Sequence, residues 1–276
     1  MSRRPYLHVC RLMLLHDDRT RRLIDDEWTT VIHSFLPSPR SAHKRAIDVT
    51  RGLPFPDGSF TAAYVNHILE HLSADSAASL ARELHRVIRP GGVVRVVVPD
   101  LEAEARWYLA SLEAYLAERT DAAERRYRWA VLELIDQKVR TRPGGAMLRA
   151  FAAGDYDSSE LRARFGQVFD EIGALRPATL RERLRGRNAV ELGYGVARSV
   201  KRALWRGDVR RSAEAELWGW DRVSLELLLV GAGFAEYRLC AYDDSGMPEW
   251  ERYDFDVATD GGRPREPSLY AEVRRP

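Results

Sequence analysis

VVRVVVP, residues 93–99, limits the possible folds more than any other stretch of this chain. A nearly unbroken β-branched run has the composition of a strand buried on both faces, which belongs to a parallel sheet covered by helices. What comes before it agrees. TAAYVNHI (61–68) reads as another strand. SADSAASLARELHRVIR then opens with Ser73 and Asp75 as capping residues and repeats Ala77, Leu80, Leu84 and Val87 at helical spacing. PGG (90–92) is read as the stop of that helix. Strand, helix and strand form a βαβ unit, with RAIDV (45–49) as an earlier strand and TRGLPFPDGSF as a loop.

The rest of the chain is organised differently. From 102 to 215 the sequence is charged, helical and aromatic, with breaks at Pro143-Gly144-Gly145, Gly154 and Gly193. This predicts a helical insertion or cap, in which the basic stretch Arg181 to Arg187 is a solvated face. After residue 216 the α/β pattern returns. VSLELLLVGAGF is an apolar helix ended by Gly233, and AEYRLCAY and SLYAEVRR are strands that can pair antiparallel. The expected domains are therefore a core of 1–101 with 216–276, and an insertion of 102–215 on the substrate side.

Composition excludes some classes of function. A net charge of +2 on 276 residues gives nucleic-acid binding no bulk electrostatic support. The N-terminal apolar stretch is short, is interrupted by Arg11 and lacks a small-residue cleavage site, so no secretory signal is expected. No run reaches the ~20 apolar residues of a membrane span. Cys10 and Cys240 have no ligand or redox spacing, and the expectation is two thiols in a reducing cytoplasm.

HILEH, residues 67–71, raises a sharper possibility, because two histidines four apart suit a zinc helix. Here an apolar strand runs straight into the motif. Four of the other histidines, His8, His16, His33 and His43, lie on separate segments, and His85 is on the following helix. No metal site is expected.

IDVTRGLPFPDGSFTAAYVNHILEHLSADSAASLARELHRVIRPGGVVRVVVPDLE resembles the middle of class I S-adenosylmethionine-dependent methyltransferases of the methyltransferase type 11 kind. WDRVSLELLLVGAGF…SGMPEWERYDFD…REPSLYAEV is similar to the ending of a subgroup associated with polysaccharide or natural-product pathways. A weaker likeness covers ELIDQKVRTRPGGAML. The resemblance implies a Rossmann-like α/β fold: a mixed seven-stranded sheet with flanking helices, an antiparallel terminal hairpin and a helical cap. It implies S-adenosylmethionine as cofactor and a small-molecule acceptor, and it makes HILEHL the turn leaving the fourth strand. A homo-oligomer and a partner enzyme both stay open.

The chain departs from that pattern in two places. The family's glycine-rich cofactor turn follows the first strand, where Gly lets backbone approach the cofactor. YLHVCRLMLL puts Val9, Cys10 and Arg11 there, and no glycine precedes Gly52. The acid that would accept from the ribose hydroxyls is replaced by Ile32 or His33 at the end of EWTTVIHSF, unless Asp17, Asp18, Asp25 or Asp26 serves in another register.

By resemblance, Asp48 with Val49 meets adenine, and Asn66 and His67 lie beneath the methionine moiety. Asp48 can equally be a turn carboxylate before Thr50. His67 is the first choice as catalytic base and Asp100 the second, since ligands of open α/β sheets sit at the carboxyl ends of the strands. Gln137, Arg140 and Trp218 are the candidate substrate contacts. Three functions compete: methyl transfer to a hydroxylated acceptor through a remodelled loop, other chemistry in the same pocket, and a non-catalytic partner of an active enzyme.

Overall fold

The computed structural model describes residues 4–11, 27–33, 44–141, 144–166, 169, 215–253, 255–257 and 267–276. The chain divides into two compact units, Met1–Ala103 with Leu217–Pro276, and Glu104–Glu216. Asp17, Asp18, Asp25, Asp26, Gly193 and the Arg181–Arg187 stretch lie outside the described residues.

In the first unit the described strands are β1 (Tyr6–Arg11), β2 (Trp28–His33), β3 (Lys44–Ile47), β4 (Phe60–Asn66), β5 (Ile88–Pro99), β6 (Ala235–Leu239) and β7 (Ser268–Arg274). They form one sheet in the order β3-β2-β1-β4-β5-β7-β6. The first five run parallel, and β7 is antiparallel to both β5 and β6. This is the mixed seven-stranded sheet with an antiparallel end hairpin expected of a Rossmann-like methyltransferase fold.

The period-2 alternation of the strands sends their side chains to two separate cores. Leu7, Val9, Val65, Val94, Val96 and Val98 face one side. There they meet α1 (Ala74–Val87), which buries Ala77, Leu80, Ala81, Leu84 and Val87, and α6 (Arg222–Gly231), which buries Leu225 and Leu229. Each large apolar side chain buried this way is worth about 2 kcal/mol. Ser73 caps α1 by accepting from Ser76 N–H, and Asp221 with Ser224 forms a capping box on α6. On the opposite side Tyr6, Trp28, Tyr64, Val97 and Tyr270 pack on Met247, Trp250, Tyr253 and Phe255 of the tail. The short helix α7 (Trp250–Tyr253) lies in that tail.

PGG does not stop α1. The helix ends at Val87, and Ile88 is already extended. The backbone before a proline is pushed out of the helical region, which sets this boundary ahead of the turn. Pro90, Gly91 and Gly92 then fall in a bulge of β5: Phe60 pairs with Ile88, but Ala62 pairs with Val93. A Cβ at Gly92 would come within 2.5 Å of Ile88 Cγ2 and of the Thr61 carbonyl, so only glycine fits.

The second unit contains the end of α2 (Leu101–Glu118), then α3 (Asp121–Val139), α4 (Gly145–Ala153) and α5 (Ser158–Phe165). Its described apolar core is small: Trp129, Leu161 and Phe169, with Met147, Phe151, Tyr156 and Phe165 against them. Charge fills the remainder. Lys138 bridges Glu104 and Glu216 at 3.0 and 3.3 Å, and Arg164 grips Glu133 through both oxygens. Asp136 accepts from Ala146 and Met147 N–H at the start of α4. A side chain at Gly145 would collide with that carboxylate. No helix among the described residues is long and apolar enough to cross a membrane.

Candidate functional site at the carboxyl ends of the strands

Cys10, Arg11, His33, Asp48, Asn66 and Asp100 all lie at or just past the carboxyl ends of parallel strands. The sheet register brings several together directly. Cys10 pairs with Ile32 on one side and Asn66 on the other, and Arg11 pairs with His33.

The expected turn at 9–11 is a strand. Val9 sits inside the ladder, paired with Val31 and Val65 and fully buried in the core. Cys10 is likewise fully buried, and β1 extends to Arg11. Without glycine the backbone has no easy entry to positive φ, so the ladder continues where a turn was expected. Val9 therefore serves packing, which removes its side chain from the expected cofactor contacts.

His33 closes β2. Its Nδ1 accepts from Val49 N–H at 3.3 Å, which makes Nε2 the protonated nitrogen, a donor in the region where the family uses an acceptor. Val49 is buried and begins a short 3₁₀ turn, Val49–Arg51. Asp48 caps that turn: Oδ1 accepts from Thr50 N–H at 3.1 Å and from Thr50 Oγ1 at 2.6 Å, while Oδ2 lies 3.3 Å from Arg51 Nε. The turn-carboxylate role is thus filled by one oxygen.

At the end of β4 the chain turns sharply. His67 has φ 46°, a left-handed conformation that costs a non-glycine residue of the order of 1–3 kcal/mol. Its N–H donates to the Val97 carbonyl, and the following turn is 3₁₀, Leu69–His71, rather than α-helix. The two histidines of HILEH are therefore not stacked one α-helical turn apart. Glu70 lies between them, with Oε1 3.2 Å from His67 Nδ1 and 3.6 Å from His71 Nε2. The first distance is a hydrogen bond and the second is too long for one. All three side chains are buried. Among the described residues no three His, Cys, Asp or Glu side chains form a metal-holding group.

Glu70 is absent from the sequence-based choice of site residues, although it stands three places after His67 in the same motif. Its backbone carbonyl also accepts from Leu217 and Trp218 N–H. Trp218 is half-exposed, with its ring 6.2 Å from that of Trp220. Trp220 in turn bridges to Asp100.

Asp100 caps α2 by accepting from Glu102 and Ala103 N–H at 3.0 and 3.2 Å. Burial raises its pKa, and these two bonds only partly oppose the rise. Gln137 and Arg140 belong to the other unit, where Arg140 Nη2 donates to Gln137 Oε1 at 2.8 Å.

Tyr64, Arg95 and Asp256 are further residues that the sequence reading missed. Asn66 Nδ2 donates to Tyr64 Oη at 2.9 Å, Tyr64 donates to Asp256, and Arg95 Nε donates to Asp256 at 2.8 Å. The available signal was Arg95 itself, the one charge inside VVRVVV.

For S-adenosylmethionine the fit is partial. Asn66 Oδ1 is shut off from solvent with no hydrogen-bond partner among the described residues, as an acceptor awaiting a ligand donor would be. Asp48 could also accept. No glycine turn follows β1.

Residues 33–96 match the family model for a methyltransferase domain, a segment running from the last residue of β2 into β5. No curated protein matches the chain. Among solved structures it is similar to an S-adenosylmethionine-dependent methyltransferase from Mesorhizobium loti, with 12% identity, TM-score 0.40, and 100% of this chain and 94% of that one covered. It is similar also to the putative methyltransferase in the Haloferax volcanii complex with the Trm112 activator, with 11% identity, TM-score 0.40 and coverages of 100% and 84%. A Methanosarcina mazei S-adenosylmethionine-dependent methyltransferase gives 9% identity, TM-score 0.38 and coverages of 99% and 92%. The matched methyltransferase domain spans residues 33–96, and the sheet order around it is that of a Rossmann-like methyltransferase fold.

Proposed function

We propose that the chain transfers a methyl group from S-adenosylmethionine to a small hydroxylated acceptor, a sugar or natural-product intermediate, with His67 as general base. The observation that carries this reading is the His67–Glu70 pair at the end of β4. The sulfonium supplies an already activated methyl group, so the protein's task is to position the acceptor and remove its proton. An ionised Glu70 only accepts hydrogen bonds, so it holds the proton on His67 Nδ1 and makes Nε2 the nitrogen that takes the hydroxyl proton. Asp100, bound to two N–H groups, is the weaker candidate. Asp48 and Asn66 are the acceptors for the cofactor, with Cys10, Arg11 and Val49 lining its side. Gln137, Arg140 and Trp218 remain the proposed acceptor contacts. A cytoplasmic setting belongs to the same proposal.

A second reading keeps the fold without methyl transfer, either for other pocket chemistry or as a silent partner of an active enzyme. The run of β1 on to Arg11 favours it. Calorimetry with S-adenosylmethionine and S-adenosylhomocysteine decides between the two. Micromolar binding is expected, and none at millimolar concentration overturns the first reading. With an acceptor in hand, His67→Ala should lower kcat by about 10²–10⁴, the usual contribution of a general base.

A further inference from the structure

The hydrogen bonds around Asn66 have their direction set from the far end of a chain of partners. Arg95, in the middle of β5, is wholly buried. Its Nε donates to Asp256, Nη1 donates to Glu272 Oε1 at 3.2 Å and to the Asp244 carbonyl, and Nη2 donates to the carbonyls of Ala241 and Tyr242. Burial works against this charge, but Asp256, Tyr64 and Glu272 more than offset it. Asp256, facing a guanidinium, is a carboxylate and can only accept.

Tyr64 must therefore donate to Asp256 Oδ1. Burial and that same carboxylate push the Tyr64 pKa well above its usual value, so its proton stays in place. With its one proton committed, the Tyr64 oxygen can only accept, and Asn66 Nδ2 donates to it. The amide thus has its NH₂ turned toward Tyr64 and Oδ1 turned away from it. That oxygen is buried beside β1, where Cys10 is the cross-strand neighbour of Asn66.

We propose that Asn66 Oδ1 is a recognition point for an O–H or N–H group of the bound small molecule, and that Tyr64, Asp256 and Arg95 are positioning residues that keep this acceptor turned toward it. The proposal rests on the binding site assigned above. A ligand with an ether or carboxylate at this point would face two opposed acceptors and be rejected, whereas a hydroxyl or amine is matched.

Two measurements test it. In unliganded ¹⁵N-labelled protein the Asn66 side-chain amide protons should exchange slowly, and at least tenfold faster in Tyr64→Phe, which keeps the ring but removes the acceptor. Equal exchange in the two proteins overturns the relay, whether or not any ligand binds. The second measurement is titration with S-adenosylhomocysteine, which carries hydroxyl and amino donors. Asn66→Leu and Tyr64→Phe should each weaken binding at least fivefold. Asp256→Asn should reverse the chain: the new amide donates to Tyr64, Tyr64 donates to Asn66, and NH₂ is turned outward. Its affinity should fall at least tenfold. The double variant Asp256→Asn/Asn66→Asp restores an outward acceptor and should recover most of the loss, a rescue that a purely structural role would not produce. Wild-type affinity in Tyr64→Phe and Asp256→Asn, with both proteins folded by circular dichroism, overturns the recognition role. Failure of the wild-type protein to bind would instead overturn the cofactor assignment, with the amide exchange still deciding the relay.

Discussion

In the sheet unit one wholly buried cation, Arg95, meets Asp256 and Glu272, whereas in the helical unit buried Glu104 and Glu216 both meet Lys138. The two regions resolve the cost of buried charge in opposite directions. Among the described residues Arg95 donates to two carboxylates and three carbonyls, and the guanidinium also lies 4.4 Å over the Trp250 ring. Burial, opposed by Lys138 but helped by Glu216, pushes the Glu104 pKa up to about 7. Burial also raises Glu133, despite Arg164. The partners of Arg95 thus hold its charge in place, while in the helical unit burial favours the protonated forms of Glu104 and Glu133.

The sharpest way to break this comparison is to remove the central cation from each unit. Arg95→Leu strands two buried carboxylates and should cost about 3–5 kcal/mol in urea unfolding at pH 7. Lys138→Leu should cost distinctly less, because the neighbouring Glu104 can neutralise itself by protonation. Equal costs would mean that the two networks work alike.

Next in size is the pH response of the helical unit. Glu104 has a folded pKa raised above its unfolded value, so its contribution is fully present below about pH 4.5 and is lost as pH rises through 7. A shift of this size corresponds to roughly 3 kcal/mol at about 1.4 kcal/mol per unit. Glu104→Gln should remove that slope, and unfolding midpoints of both proteins from pH 4.5 to 8 measure it. A wild-type slope that survives the substitution assigns it to another group.

The sheet unit should show the opposite sign. His8 is fully buried and stacked 5.6 Å from Tyr64, with neither ring nitrogen partnered among the described residues. Burial, with a smaller push from Lys44, lowers its pKa to about 3. The unfolded chain takes up this proton below about 6.5 and the folded chain does not, so stability falls as pH falls through that window. The loss should be about 2 kcal/mol between pH 6.5 and 5. His8→Leu should flatten the acid limb and cost nothing at pH 7, because an unsatisfied polar group is removed with it. An unchanged acid limb would place the sensitivity elsewhere.

These differences also explain what could be read from the sequence. VVRVVVP, the spacing of α1 and the apolar run VSLELLLVGAGF are local signals, and each produced its element where expected. The end of α1 was misplaced because the effect of Pro90 reaches back past Arg89, while the glycines behind it serve a bulge. The site was partly legible, since the ends of β4 and β5 follow from the strands themselves. Glu70 was overlooked because a zinc motif invites attention to its histidines. The Asn66 relay depends on Asp256, 190 places away in a tail with no periodicity, and no spacing rule reaches that far.

The smallest effect separates a cap from a ligand-binding carboxylate, using one residue from each unit. Asp157 at the start of α5 repeats the local geometry of Asp48: Oδ1 accepts from Ser159 N–H at 2.9 Å and from Ser159 Oγ at 2.6 Å, as Asp48 does from Thr50. Each fills the capping role that an aspartate two residues before a serine or threonine can fill. Asp48→Ala should therefore cost about 1 kcal/mol of stability, and Asp157→Ala should act in the same direction. Only Asp48 lies at the carboxyl edge of the sheet, with a second oxygen whose neighbour Arg51 is largely exposed and able to swing away. S-adenosylhomocysteine affinity should consequently fall in Asp48→Ala and stay unchanged in Asp157→Ala. If both leave the affinity unchanged in a protein that binds the cofactor product, Asp48 is a turn residue and adenine is recognised by other groups.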